Sequence, residues 1–209
     1  MSKITGLKQG KNRAKRIHVY VDDKFALSLA PETALKENLG IGQDLGRAAL
    51  EELANKDLRQ RCFNSAVRFL GYRPRSESEI KQRLTRHGFD DGTIDKTLVK
   101  LKDMGYVDDT AFAHFWVENR ETFSPRSRRM AKFELKRKGL KADIIDQAVN
   151  EINEKESAYR AAQNRARRLT ALDYQDFRLR LGQYLGRRGF GYGIISEIVE
   201  RVWKELRKK

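Results

Sequence analysis

Between Pro74 and Leu101 the apolar positions fall near i, i+3, i+4 and i+7, the spacing of one buried helix face, and short breaks interrupt them at Gly88 and before Pro74. The pattern returns fifty-one residues later. Pro74-Arg75-Ser76, Leu84, Arg86, Gly88-Phe89, Ile94-Asp95, Leu98 and Leu101 are matched by Pro125-Arg126-Ser127, Leu135, Arg137, Gly139-Leu140, Ile145-Asp146, Val149 and Ile152, with no gap. A further shift of fifty gives a weaker copy at Leu185, Gly189-Phe190, Ile195, Val199 and Val202. A fixed period near 50 residues marks tandem units that bury their apolar faces against one another. The pattern therefore predicts a mainly α chain: three tandem three-helix repeats in an elongated array. They follow a small N-terminal β-hairpin and helix segment.

Near the N-terminus the period changes to two. Ile17-His18-Val19-Tyr20-Val21 and Phe25-Ala26-Leu27-Ser28-Leu29 flank Asp22-Asp23-Lys24, which reads as a hairpin. Ile4 to Leu7 is a candidate third strand, since a lone hairpin is marginal in water. Pro31 to Glu37 predicts a covering helix with Pro in its first turn. Leu45 to Leu53 reads as another helix, leading into the array.

These signals divide the chain into 1–55 (the N-terminal segment), 56–106, 107–155 and 156–209 (the three repeats). In the first repeat, helices are predicted near Asp57 to Leu70, after the capping box Ser76-x-x-Glu79, and from about Ile94 to Met104. Gly88 and Gly105 close the last two as left-handed caps. The second repeat predicts helices at Thr110 to Glu121, Arg126 to Lys138 and Asp143 to about Asn153. The third predicts Ala158 to Leu169, Tyr174 to Arg187 and Tyr192 to Leu206.

Charge sharpens this picture. Lys and Arg number 44 against 29 acids, a net charge of +15, which favours a polyanionic partner. The excess is clustered. Arg126 to Lys141 holds eight basic residues and one acid, Glu134, although its repeat as a whole is close to neutral. With Met130, Phe133, Leu135 and Leu140 facing inward, Arg128, Arg129, Lys132 and Lys136 share the other face. Arg126 and Arg137 flank them. The third repeat adds Arg165, Arg168, Arg178, Arg187 and Arg188. Such faces can follow a phosphate backbone or an acidic protein groove, and contacts of that kind carry little sequence information. A solvated helix face is the plainer alternative. The basic run Lys8, Lys11, Arg13, Lys15 and Arg16 could touch phosphates or only solvate a loop. Tyr72, Tyr106, Trp116 and Tyr192 are possible stacking platforms for single strands, though most occupy positions that the repeat assigns to core or turns.

Catalytic chemistry has little to stand on. His18, His87 and His114 lack partners at metal spacing, and Cys62 lies among apolar neighbours as a small hydrophobe. Asp22-Asp23, Asp90-Asp91 and Asp108-Asp109 read as turn and cap residues. Gly189-Phe190-Gly191-Tyr192-Gly193 has no preceding strand and no Gly-Lys-Ser/Thr, so it reads as a helix cap and not a phosphate loop. The sequence predicts a non-enzyme without cofactor or metal. One cysteine and the absence of an apolar leader or span favour a reducing cytoplasm. No feature demands a dimer, so the chain is read as a monomer.

Several of these stretches are familiar. Arg75-Ser76, Glu79-Ile80, Arg83-Leu84, Gly88-Phe89, Ile94, Leu98, Leu101, Gly105-Tyr106-Val107-Asp108-Asp109 and Phe112-Ala113 together resemble the regulatory protein RecX family. Arg126 with Glu134-Leu135-Lys136-Arg137-Lys138-Gly139-Leu140 fits the same family, and the Val19 to Leu29 hairpin resembles the N-terminal extension of its longer members. The resemblance implies a modulator of the RecA recombinase. Such proteins bind RecA and its filament on single-stranded DNA, lie in the filament groove, and inhibit ATP hydrolysis and strand exchange. Weak non-specific DNA binding is also expected. The alternative reading is a stand-alone helical nucleic-acid-binding protein. A recognition helix at the third helix of the first repeat would offer Asp91, Thr93 and Asp95, which suit phosphates poorly.

Overall fold

The computed structural model describes residues 2–10 and 15–207. It contains three strands and ten helices among them. By internal packing the chain forms two compact units: residues 1–73 with 80–106, and residues 74–79 with 107–209.

The first unit begins with an antiparallel sheet, β1 (Ile4–Gln9), β2 (Ile17–Val21) and β3 (Lys24–Leu29), in the order β1-β2-β3. The third strand suggested by Ile4 to Leu7 is therefore present. Asp22 and Asp23 form the hairpin turn with φ of 48° and 61°, the left-handed pair that matches strand twist. The Lys3 N–H donates to Asp22 Oδ1 at 3.0 Å and pulls that carboxyl below its ordinary range. Ile4, Val19, Val21 and Leu29 bury one sheet face with Leu45 and Leu53.

Helix α1 (Pro31–Lys36) follows, with Pro at its start. The next helix differs from expectation. The helix anticipated at Leu45 to Leu53 and the one near Asp57 are one continuous α2 (Arg47–Leu70). No Gly or Pro lies between them, so nothing breaks the backbone ladder. The limit drawn between residues 55 and 56 falls inside it.

Asp57, at the middle of α2, is 4% exposed. Its carboxylate accepts from Arg16 Nη2 at 2.7 Å and from the Ala30 N–H at 2.6 Å. A mid-helix carboxylate thus ties the sheet and the start of α1 onto α2. Arg16 also donates to the Ser28 hydroxyl and carbonyl. Helix α3 (Glu77–Arg86) runs into this unit, and α4 (Asp91–Asp103) completes it. Asp90 caps α4 through the Thr93 N–H, as its turn position suggested, and Gly88 and Gly105 close helices at φ of 81° and 71°. Cys62 is fully buried, and burial pushes its thiol above the ordinary value against an opposing hydrogen bond with Thr97. Thiol reagents should therefore leave Cys62 unmodified in the native protein and react with it in denaturant. Rapid native labelling, read by mass spectrometry, would contradict that packing.

The second unit holds α5 (Asp109–Phe123), α6 (Arg128–Arg137) and α7 (Ala142–Asn150), then α8 (Glu154–Ala166), α9 (Tyr174–Arg187) and α10 (Tyr192–Arg207). Two cores lie inside it. Phe112, Ala113, Val117, Ala131, Leu135, Ile145 and Val149 belong to the first. Phe177, Leu181, Leu185, Ile198, Val199 and Val202 belong to the second. Asp108, Ser127, Asn153 and Asp173 each accept a first-turn N–H, so their helices begin where a side chain satisfies an otherwise orphaned donor.

A joint recurs in this unit with the period of the sequence. At residues 74–79 the Ser76 hydroxyl accepts from the Glu79 N–H and donates to the Lys138 carbonyl at 2.6 Å, at the end of α6. Glu79 also takes the Lys138 ammonium at 2.6 Å. One repeat later the Ser127 N–H donates to the Arg188 carbonyl at 3.1 Å, at the end of α9. Arg188 in turn donates to the Ser124 hydroxyl and the Pro125 carbonyl. Each Pro-Arg-Ser cap thus meets the closing turn of the following repeat. A helix N-terminus beside a helix C-terminus also sets opposite dipole ends together.

Candidate partner and nucleic-acid interface

The cations selected from the sequence separate into two groups. Arg126, Arg128, Lys132, Arg165 and Arg188 are engaged by the fold. Arg126 lies 3.7 Å from Glu134, whose other carboxylate oxygen accepts from Trp116 Nε1 and Arg120 Nε. The lone acid of the basic run is therefore a packing hub. Arg128 donates to the Asn150 carbonyl at the end of α7 and to the Ile152 carbonyl just after it, and cations suit a helix C-terminus. Lys132 pairs with Asp146 at 2.6 Å. The same pair occurs fifty-one residues earlier as Lys81 and Asp95 at 3.1 Å. Arg165 and Arg188 stack on Tyr184, 5.7 and 4.5 Å from its ring centre.

Arg129, Lys136, Arg137, Arg168, Arg178 and Arg187 are exposed. None of these six forms an ion pair among the described residues. Arg129 and Lys136, seven residues apart on α6, lie on one face about 10 Å apart along the axis. These are the positions free to meet a polyanion.

One expected inward residue faces out. Phe133 is 56% exposed, and Arg137 lies 5.8 Å over its ring. The buried stripe of α6 is Ala131 with Leu135, spaced i, i+4, and Phe133 falls on the opposite side of the turn. The aromatic candidates also divide. Trp116 packs on Phe112 beneath Arg120 and Lys138. Tyr72, Tyr106 and Tyr192 are exposed at turns or a helix start.

The Gly189 to Gly193 stretch follows helix α9, and Gly189 closes that helix at φ 91°, as a cap. His114 of α5 lies 3.3 Å from Glu151, just after α7, at the partly exposed edge of the second repeat. No group of three or more His, Cys, Asp or Glu side chains among the described residues could hold a metal ion. No helix among them is long and apolar enough to cross a membrane.

Sequence reasoning missed a cleft in the first unit. It has a volume of about 910 Å³ and is walled by Arg61 and Arg68 of α2, Tyr72 in the turn just after it, Arg83 and His87 around the end of α3, and Lys15 before β2. The i, i+7 spacing of Arg61 and Arg68, with Tyr72 shortly after, was the available signal. Of the basic N-terminal run, Lys11 and Arg13 lie outside the described residues, Lys8 sits 5.1 Å from the Tyr20 ring centre, and Arg16 is held by Asp57.

Comparison with known proteins covers nearly the whole chain. Family models match in order: the regulatory protein RecX N-terminal domain at residues 2–46, and the RecX first, second and third three-helix domains at 62–101, 108–149 and 153–199. Regulatory protein RecX of Clostridium botulinum (strain Eklund 17B / Type B) is 28% identical over 205 residues, 96% of each chain. That of Listeria welshimeri is 31% identical over 152 residues, 73% of this chain and 56% of its own. A crystal structure of regulatory protein RecX superposes with a TM-score of 0.68 at 22% identity, covering 96% of this chain and all of that one. RecX from Lactobacillus salivarius superposes with a TM-score of 0.59 at 23% identity, covering 70% and 97%. With its N-terminal domain and all three helical domains matched in sequence order, the chain belongs to the RecX family of regulatory proteins.

Proposed function

We propose that this protein is a non-catalytic inhibitor of the RecA recombinase. It binds RecA filaments on single-stranded DNA in the cytoplasm and slows ATP hydrolysis and strand exchange. The observation that carries the reading is the match to regulatory RecX proteins along 96% of the chain. The partner is taken from the family resemblance. The exposed, unpaired cations of α6 and α9 support docking onto a polyanionic filament or an acidic protein groove. Because the contacts are charge-to-phosphate or charge-to-carboxylate, binding depends on salt and not on base sequence.

The fold decides which residues test this. Arg128 and Lys132 already serve α7 and Asp146, so reversing them disturbs packing as well as binding. Arg129→Glu with Lys136→Glu removes free charge alone. The double variant is expected to keep its helix content and unfolding midpoint. Its affinity for RecA–DNA filaments should fall by about tenfold or more at moderate salt, measured by co-sedimentation. Wild-type affinity in a folded variant would remove this face from the docking surface.

A further inference from the structure

The cleft of the first unit has more than charge to recommend it. Its walls carry five Lys or Arg side chains and His87, opposed by one acid, Glu32. Arg16 is held by Asp57, and Arg83 lies 5.4 Å over the Phe69 ring. Lys15, Arg61, Arg68 and His87 have no carboxylate partner among the described residues. Elsewhere in the molecule cations are commonly neutralised by nearby acids, as at Lys56, Lys132 and Lys138. Here like charges converge on a concavity, where low-dielectric walls focus their field and favour a bound anion.

The aromatic groups narrow the ligand. Tyr72 is 83% exposed beside Arg68, with Phe89 half-buried in the same wall. A large aromatic left in water next to unpaired arginines suits a ligand that alternates phosphate with a flat ring. Arg61 and Arg68 lie two helical turns apart on one face of α2, about 10 Å along its axis, so they serve separate phosphates. At about 910 Å³ the cleft is at the upper end of the volumes that take one drug-sized ligand, room for a nucleotide or two of a single strand.

We propose that this cleft binds a short stretch of single-stranded nucleic acid, with Arg61 and Arg68 on its phosphates and Tyr72 stacked on a base. Recognition is sequence-tolerant, because every base offers a π-face. The site belongs to the first unit, apart from the α6 and α9 cations, and does not require RecA.

The test is fluorescence anisotropy of a labelled oligo(dT) with the full chain and no RecA, over a salt series. Arg61→Gln with Arg68→Gln is expected to weaken binding about tenfold or more and to reduce the salt slope by about 1.4, two phosphate contacts on a single strand. Tyr72→Ala is expected to weaken oligo(dT) binding about tenfold while leaving the affinity for inorganic polyphosphate unchanged. Circular dichroism confirms folding of each exposed-site variant. Wild-type affinity in the folded variants would overturn the proposal. So would equal affinity for a duplex of the same length, or thymidine monophosphate binding as tightly as the strand. Because RecA is absent, failure here leaves the filament reading standing, and failure of that reading leaves this site to be judged by its own variants.

Discussion

Gly139→Ala should destabilise the second unit by about 3 kcal/mol, whereas Gly88→Ala should cost about 1 kcal/mol. Both glycines close a helix in the left-handed region, at φ of 80° and 81°. Any L-residue there meets a backbone strain of about 1–2 kcal/mol. Their surroundings differ. A Cβ at Gly88 would meet nothing within 4 Å, but one at Gly139 would overlap the side chain of Ser78. The atoms met include Ser78 Cβ, which the backbone of the first turn of α3 holds in place, so side-chain rotation alone cannot relieve the overlap. Overpacking of that kind adds about 1–3 kcal/mol. Gly189 repeats the situation, with a Cβ placed 2.5 Å from Ser127 Oγ and 3.1 Å from Met130 Cβ. Urea unfolding of the three single variants gives the comparison. Equal midpoints for the Gly88 and Gly139 variants would mean that the joint accommodates a methyl group and that backbone strain alone matters.

The second large effect is expected at Asp57. Asp57→Ala removes the acceptor of the Ala30 N–H and the partner of Arg16. Breaking a buried pair from one side costs about 3–5 kcal/mol when the remaining charge is fully enclosed. The Arg16 side chain is 26% exposed, and water screens part of that loss, so about 2–3 kcal/mol is expected. Protection of β2 and β3 amides in hydrogen exchange should fall more than protection in α9 or α10. Arg16→Ala with Asp57→Ala should cost less than the sum of the two singles, because the second substitution removes a charge already left alone. Strict additivity would show that Asp57 acts through the Ala30 N–H and not through Arg16.

These two positions also show how much of the molecule the sequence carries. The glycine closures, the Ser76 cap, the Asp22-Asp23 turn and the strand alternation are local, and each was legible from residue type and spacing. The Ser127 cap was not, because Arg126 to Lys138 reads as unbroken helix whereas α6 starts at Arg128. The continuity of α2 was not legible either. The repeat register set a limit at Lys56, and Asp57 looked like a helix start when it is an internal anchor. On α6 the direction of Phe133 was misread because two apolar stripes compete, and the choice between them depends on α5 and α7. The division of the basic candidates had no sequence signal except at Lys132, whose pairing with Asp146 is foreshadowed by Lys81 and Asp95 one repeat earlier. Which arginines stay free depends on carbonyls and carboxylates supplied by distant segments. The first-unit cleft is legible only as an Arg61, Arg68 and Tyr72 stripe. Its other walls come from residues before β2 and around the end of α3, far away in sequence.

The central reading is inhibition of a RecA filament, and the direct measurement is RecA ATPase activity on single-stranded DNA as this protein is titrated in. The account predicts a decline in rate that persists when DNA is in large excess over this protein, so that sequestration of bare strand does not explain it. It also predicts a weaker decline with the Arg129→Glu, Lys136→Glu variant. An unchanged ATPase rate at equal protein and RecA concentrations, alongside salt-dependent binding to bare DNA, would contradict the reading and leave a stand-alone nucleic-acid-binding protein.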